Sequence, residues 1–217
     1  MPVSCRCAEV HHRRRVVLTG GPGAGKTALL ELIRQSFCAH VRTLPEAAGV
    51  IFGGGFPRSE EPVWRKAAQR AIFHVQRELE VIGDTHDAAL VLCDRGTVDG
   101  LAYWPGPAEE FWSSLGTRHE DELARYDAVI HLRTPAAHHG YNHANPLRTE
   151  TARTAALIDE RLLAVWADHP RRIIVPSETT FIAKATHALE ALHDELPACC
   201  ATRGVPLPTV APVAPVG

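Results

Sequence analysis

Val16-Val17-Leu18-Thr19-Gly20-Gly21-Pro22-Gly23-Ala24-Gly25-Lys26-Thr27 decides the fold. An apolar run reads as a buried strand and passes directly into a full G-x-x-x-x-G-K-[ST] motif. Glycines let the backbone curl so that its N–H groups converge on phosphate oxygens. The helix that follows adds the partial positive charge of its N-terminus. Lys26 supplies a mobile cation for the outer phosphates, and the Thr27 hydroxyl suits a magnesium ion. Gly21, Pro22, Gly23, Ala24, Gly25, Lys26 and Thr27 are the expected nucleotide contacts, with ATP and Mg²⁺ as cofactors.

Outward from this motif, apolar strands alternate with amphipathic helices. Lys26 to Phe37 has helical spacing, with Leu29, Leu30, Ile33 and Phe37 on one face. Val41 to Leu44 is extended and ends at Pro45. Val63 to Ile82 predicts a long helix with the stripe Ile72, Val75, Leu79 and Ile82. Ala88 to Cys93, Ala128 to Leu132 and Arg172 to Val175 are further strands; Thr151 to Trp166 and Phe181 to Leu196 are helices. Uniformly apolar strands between helices predict a parallel sheet of about five strands covered on both faces, an α/β/α sandwich. Ligands on such sheets sit at the carboxyl ends of the strands.

Those ends carry suggestive chemistry. Ala88 to Cys93 leads into Asp94-Arg95-Gly96, where a carboxylate can hold a magnesium shell and an arginine can meet phosphate. Asp94 and Thr27 are therefore the expected metal-site residues. Glu46, after the second extended segment, fits either a general base on an acceptor hydroxyl or a second magnesium-shell carboxylate. Arg133 ends the fourth strand, and a Gly/Asn/Pro-rich loop through Tyr141 leads to Arg148 and Arg153. This stretch predicts an arginine-bearing lid that neutralises charge during phosphoryl transfer, with Arg148 as its principal contact. Lys26, Glu46, Asp94, Arg95 and Arg148 make up the expected catalytic set, and Arg148 and Arg153 join the nucleotide contacts. Ile51 to Arg58, with three glycines between phenylalanines, lies where an acceptor could bind; Tyr103 and Trp104 are candidate lining residues of the same pocket. Pro176 and Ser177 follow the last strand and are expected near the base.

The 217 residues suit one domain with tails: 1–14, a P-loop domain over 15–196, and a Pro/Ala/Val-rich tail over 197–217. A formal net charge of -2 gives no sign of nucleic acid or anionic membrane as a partner. No apolar run reaches the ~18 residues of a spanning helix, and the polar N-terminus lacks a secretory core, so a cytoplasmic location is expected. Of the six cysteines, Cys5, Cys7, Cys199 and Cys200 fall in the tails; their C-x-C and C-C spacing fits zinc motifs badly, and they are expected to be exposed thiols.

Taken together, Leu18 to Thr27, Pro45-Glu46-Ala47-Ala48, Cys93-Asp94-Arg95-Gly96 and Asn145-Pro146-Leu147-Arg148-Thr149-Glu150 resemble the nucleoside and nucleotide kinase branch of P-loop proteins. Within it they are most similar to the small predicted-ATPase group that includes the ribosylnicotinamide kinase domain and the TRPL translocation-defect protein. The resemblance covers roughly residues 15–196 and implies a three-layer sandwich, MgATP as donor and a lid, but no particular acceptor. Two functions follow as expectations: transfer of the ATP γ-phosphate to a small-molecule hydroxyl, or a nucleotide-gated binding module using ATP or GTP. The absence of an Asn-Lys-x-Asp element weakens a conventional GTPase, and the length weakens a two-domain motor.

Overall fold

The five apolar runs lie side by side as one parallel sheet. The computed structural model describes residue 7 and residues 11–85, 88–135, 151–177 and 180–201. Its strands are β1 (Arg14–Thr19), β2 (Val41–Leu44), β3 (Leu90–Asp94), β4 (Ala128–Leu132) and β5 (Arg172–Val175), in the spatial order β2-β3-β1-β4-β5. The helices are α1 (Lys26–Ser36), α2 (Ala47–Gly53), α3 (Pro62–Asp84), α4 (Asp99–Tyr103), α5 (Ala108–Leu115), α6 (His119–Leu123), α7 (Ala152–Val165), α8 (Phe181–His193) and α9 (Ala198–Ala201). The central strand β1 pairs with β3 through Leu18 opposite Asp94, and with β4 through Leu18 opposite Ile130. That register sets the mouth of the P-loop beside the carboxylate that ends β3.

The period-two alternation of the strands divides the core between two faces. Val16, Leu18, Leu90, Leu92, Ile130 and Leu132 pack under α1 and α8, against Leu29, Leu30, Ile33, Leu189 and Leu192. Val17, Val91, Cys93 and Val129 face an aromatic layer of Trp104, Phe111, Trp112, Tyr126 and Trp166. The expected three-layer sandwich is the observed architecture. Among the described residues no helix is long and apolar enough to cross a membrane.

Two helices depart from their apolar pattern, α3 across its face and α8 at single positions while Ala185, Leu189 and Leu192 are buried as predicted. In α3, Ile82 is 51% exposed, while Phe73, Gln76, Glu80 and Gly83 are buried. The reason is a polar network: the fully buried Glu80 carboxylate accepts from Tyr126 Oη at 2.7 Å, from Gln76 Nε2 at 3.0 Å and from Arg125. Satisfied polar groups are stable inside, but a hydrophobicity pattern assigns them to solvent. In α8, Ile182 is exposed and Lys184 is buried, because its ammonium donates to the carbonyl of Ala24 at 3.0 Å and to that of Arg133. The cysteines also depart from expectation. Cys200 lies on helix α9 and is buried, and Cys7 and Cys199 are half-buried.

Candidate nucleotide site and acceptor cavity

The P-loop is shaped by close approach of neighbouring backbone. At Gly20, with φ 135°, a Cβ would meet the Leu132 carbonyl oxygen at 2.1 Å, so only glycine fits. The amide of Gly21 donates to Asp159 Oδ1 at 2.9 Å. Asp159, on α7, also accepts from Arg133 Nε at 2.8 Å and from the Thr134 amide at 3.2 Å, and lies 2.9 Å from His131 Nε2. Burial works to raise its pKa, yet these hydrogen bonds prevail and hold it near 2. A permanent anion therefore ties the start of the P-loop to β4 and α7.

Lys26 is buried and donates through Nζ to the carbonyls of Gly20 at 2.8 Å and Gly21 at 3.3 Å. Burial, helped by the nearby Arg95 charge, lowers its pKa to about 8. Thr27 is exposed at the mouth of the loop and faces the same cavity.

The Asp94-Arg95-Gly96 turn is fixed from three sides. Arg95 adopts φ 73°, left-handed for a residue with a side chain, and its amide donates to the Leu18 carbonyl at 3.1 Å. At Gly96 a Cβ would come within 2.9 Å of both Trp166 and Val17, so the turn needs glycine. Below it, the Thr97 amide donates to Tyr126 Oη at 2.8 Å. The guanidinium of Arg95 is clamped by Glu46 Oε1 at 2.6 Å and Asp99 Oδ1 at 3.2 Å, and lies 5.6 Å from the Tyr103 ring centre. Asp99 is buried and also accepts from Thr19 Oγ1 at 2.5 Å, from the Gly96 amide at 3.0 Å and from Trp166 Nε1 at 3.1 Å. Asp94 contrasts with it: Oδ1 is buried with no hydrogen-bond partner among the described residues. Burial raises the Asp94 pKa to about 6, even with Lys26 opposing the shift. Glu46 moves the other way: Arg95 and Lys26 outweigh burial and lower its pKa.

These groups share one cavity of about 630 Å³. Its phosphate end is lined by Gly23, Lys26 and Thr27, its waist by Glu46, Asp94 and Arg95, and its far end by Phe52, Trp64, Gln69, Phe73 and Tyr103. Of the aromatics singled out in the sequence, Tyr103 lines the cavity, whereas Trp104 is buried against Phe111 with ring centres 5.1 Å apart. From the Gly-rich segment Phe52, Pro57 and Arg58 line the cavity, with the Arg58 guanidinium 4.4 Å from the Phe52 ring centre. Arg148 and the lid loop, 136–150, lie outside the described residues. Arg153 is exposed on α7 and is not among the lining residues. Arg161, two turns further along α7, does line the cavity; sequence reading passed over it because it sits mid-helix, away from any motif.

Residues 15–182 match the family described as AAA domain. The chain belongs to that family. As an AAA domain it shares its fold with solved structures of low sequence identity. NadR in complex with NR matches with a TM-score of 0.65 at 17% identity, over 85% of this chain and 52% of that one. NadR in complex with NAD and AMP-PNP gives 0.60 at 16%, over 84% and 49%. Thymidylate kinase from Candida albicans gives 0.57 at 14%, over 84% and 92%. This AAA domain thus spans about half the length of NadR. No curated protein sequence matches it. The likeness of all three structures establishes a fold of the P-loop kinase type.

Proposed function

We propose that the protein is a phosphotransferase that moves the γ-phosphate of ATP to a hydroxyl of a small molecule. One observation carries the reading: the cavity continues past Lys26, Asp94 and Arg95 into an aromatic-lined compartment between α2, α3 and α4. A module that only senses nucleotide has no need of that second compartment, which counts against a nucleotide-gated switch. A flat, ring-bearing acceptor suits Phe52, Trp64 and Tyr103, while Gln69 and Arg65 offer polar contacts. The NR and NAD bound in the NadR structures support a nucleoside-like acceptor.

The residues fit magnesium. Asp94 has a buried oxygen in want of a partner among the described residues, and Thr27 lines the same space. These two would hold the ion, Asp94 partly through water, and magnesium would supply charge neutralisation on the outer phosphates. Lys26 leaves the Gly20 and Gly21 carbonyls to bind the same phosphates. Arg95 is already oriented by Glu46 and Asp99, so its charge meets the transferred group without reorganisation. Glu46 has one oxygen committed to Arg95 and is the carboxylate we assign to the acceptor hydroxyl. Arg161 faces the transferred phosphate from the α7 side.

The test is ADP release by purified protein with MgATP and pooled acceptors, nucleosides and nicotinamide riboside first, followed by mass spectrometry of products. A phosphorylated product that disappears in Lys26→Ala supports the assignment. Tight ATP binding with acceptor-independent turnover across all pools would return the choice to the gated module.

A further inference from the structure

The parallel topology brings three distant segments to the edge of the sheet remote from the P-loop: the approach to β1, the α1–β2 connection and the residues after α8. Each carries soft ligands. Cys7, His11 and Cys199 present donor atoms all within 4.8 Å of one another, and so do Cys38, His40 and Cys200. Within the first set, His11 Nε2 lies 3.4 Å from Cys7 Sγ and 3.2 Å from Cys199 Sγ. In the second, Cys200 Sγ lies 3.3 Å from Cys38 Sγ and 3.4 Å from His40 Nδ1. The sets meet at Cys199, whose sulfur is 3.7 Å from His40 Nδ1 and 3.8 Å from Cys200 Sγ.

We propose that Cys38, His40, Cys199 and Cys200 form a structural zinc site that clasps the residues after α8 to the α1–β2 connection. A tetrahedral zinc with bonds of about 2.0–2.3 Å separates its ligand atoms by roughly 3.3–3.8 Å, close to the spacings found here. Thiolate and imidazole donors select zinc over the hard cations magnesium and calcium, so the site does not compete for the ion of the phosphate end. Four side chains close the shell: Cys38 and His40 lie 3.3 and 3.4 Å from Cys200, Cys199 lies 3.7 Å from His40 and 3.8 Å from Cys200, and His11 stands 3.2 Å from Cys199. Binding displaces the thiol protons to solvent and makes the ion part of the folding equilibrium. The spacing in sequence hides the site, because only the fold unites residues 38–40 and 199–200.

The test is metal analysis of the untagged full-length chain, desalted without chelator. We expect at least one zinc per chain, exchange with cobalt to give the thiolate charge-transfer and visible bands of a tetrahedral centre, and undiminished zinc in Lys26→Ala. The His40→Ala/Cys199→Ser double variant loses the retained zinc. Both of its positions are only half-buried, so it is expected to fold even where Cys38→Ser or Cys200→Ser does not. A chain free of zinc, one that carries a Cys38–Cys200 disulfide in its place, or a double variant that keeps its zinc would overturn the proposal.

Discussion

The two ends of the sheet solve different problems with different means. At the phosphate end, contiguous motifs place charged groups so that some remain uncommitted: Asp94 keeps a buried oxygen without a partner among the described residues, and Lys26 rests on carbonyls it can leave. At the opposite end, side chains from three separated segments converge on one another and are committed to holding the chain together. Reactivity is thus built from unfinished bonding, and anchorage from finished bonding. The first should respond to substitution in rate, the second in stability.

The contrast is sharpest at Lys26. Its replacement by alanine is expected to lower acceptor-dependent ADP release by about 10³-fold, with little change in thermal stability, because preorganised charge at a transferring phosphate is worth several kcal/mol. Next comes Asp94→Asn, expected to reduce turnover by roughly 10²-fold while stabilising the fold. The sign follows from the raised pKa. A carboxyl whose folded pKa lies near 6, above its ordinary 3.8, contributes stability at low pH and loses it as pH rises through 6. At pH 7 to 8 the neutral amide removes up to about 3 kcal/mol of that penalty, which a thermal melt of both proteins would read. A lower melting temperature for Asp94→Asn would break the link between an uncommitted group and strain.

The pH dependence separates the two groups. In kcat/KM for ATP, activity should fall below about 6 as Asp94 takes a proton, and above about 8 as Lys26 loses one. Saturating MgATP should move both limbs outward in kcat. Arg161→Ala is a smaller perturbation, expected to cost about tenfold in transfer, whereas Arg153→Ala should stay within about twofold; equal losses would show that the α7 side contributes only diffuse charge. Smallest in rate is zinc removal: chelation should lower Tm by several degrees and leave turnover at low temperature within about twofold.

The fold was largely legible because each strand is a short apolar run and most connections hold a helix of clear period, and the predicted limits of β2, β4 and β5 match those observed; the short helices α2, α4, α5 and α6 carry no such period and were not predicted. The P-loop, Glu46 and Asp94-Arg95 were legible because a local sequence dictates a local backbone. What escaped reading lies in groups whose partners are remote in sequence. Glu80 and Gln76 looked like solvent-facing positions until Tyr126 and Arg125 arrived from 45 or more residues away to satisfy the carboxylate. Lys184 was hidden in the same way, needing the Ala24 carbonyl from 160 residues distant. Arg161 belongs to no motif, and its relevance comes only from the direction in which α7 crosses the cavity.

The imidazole of His11 lies 3.2 Å from the sulfur of Cys199, so the first and last described stretches of the chain abut. Residues so close can be joined by a short peptide, and the chain can be opened afresh at the exposed turn of Gly53, Gly54 and Gly55. Such a circular permutant would keep every strand in its place while synthesising β3, β1's neighbour, before β1 itself. The result is a molecule whose order of manufacture no longer follows its order of packing.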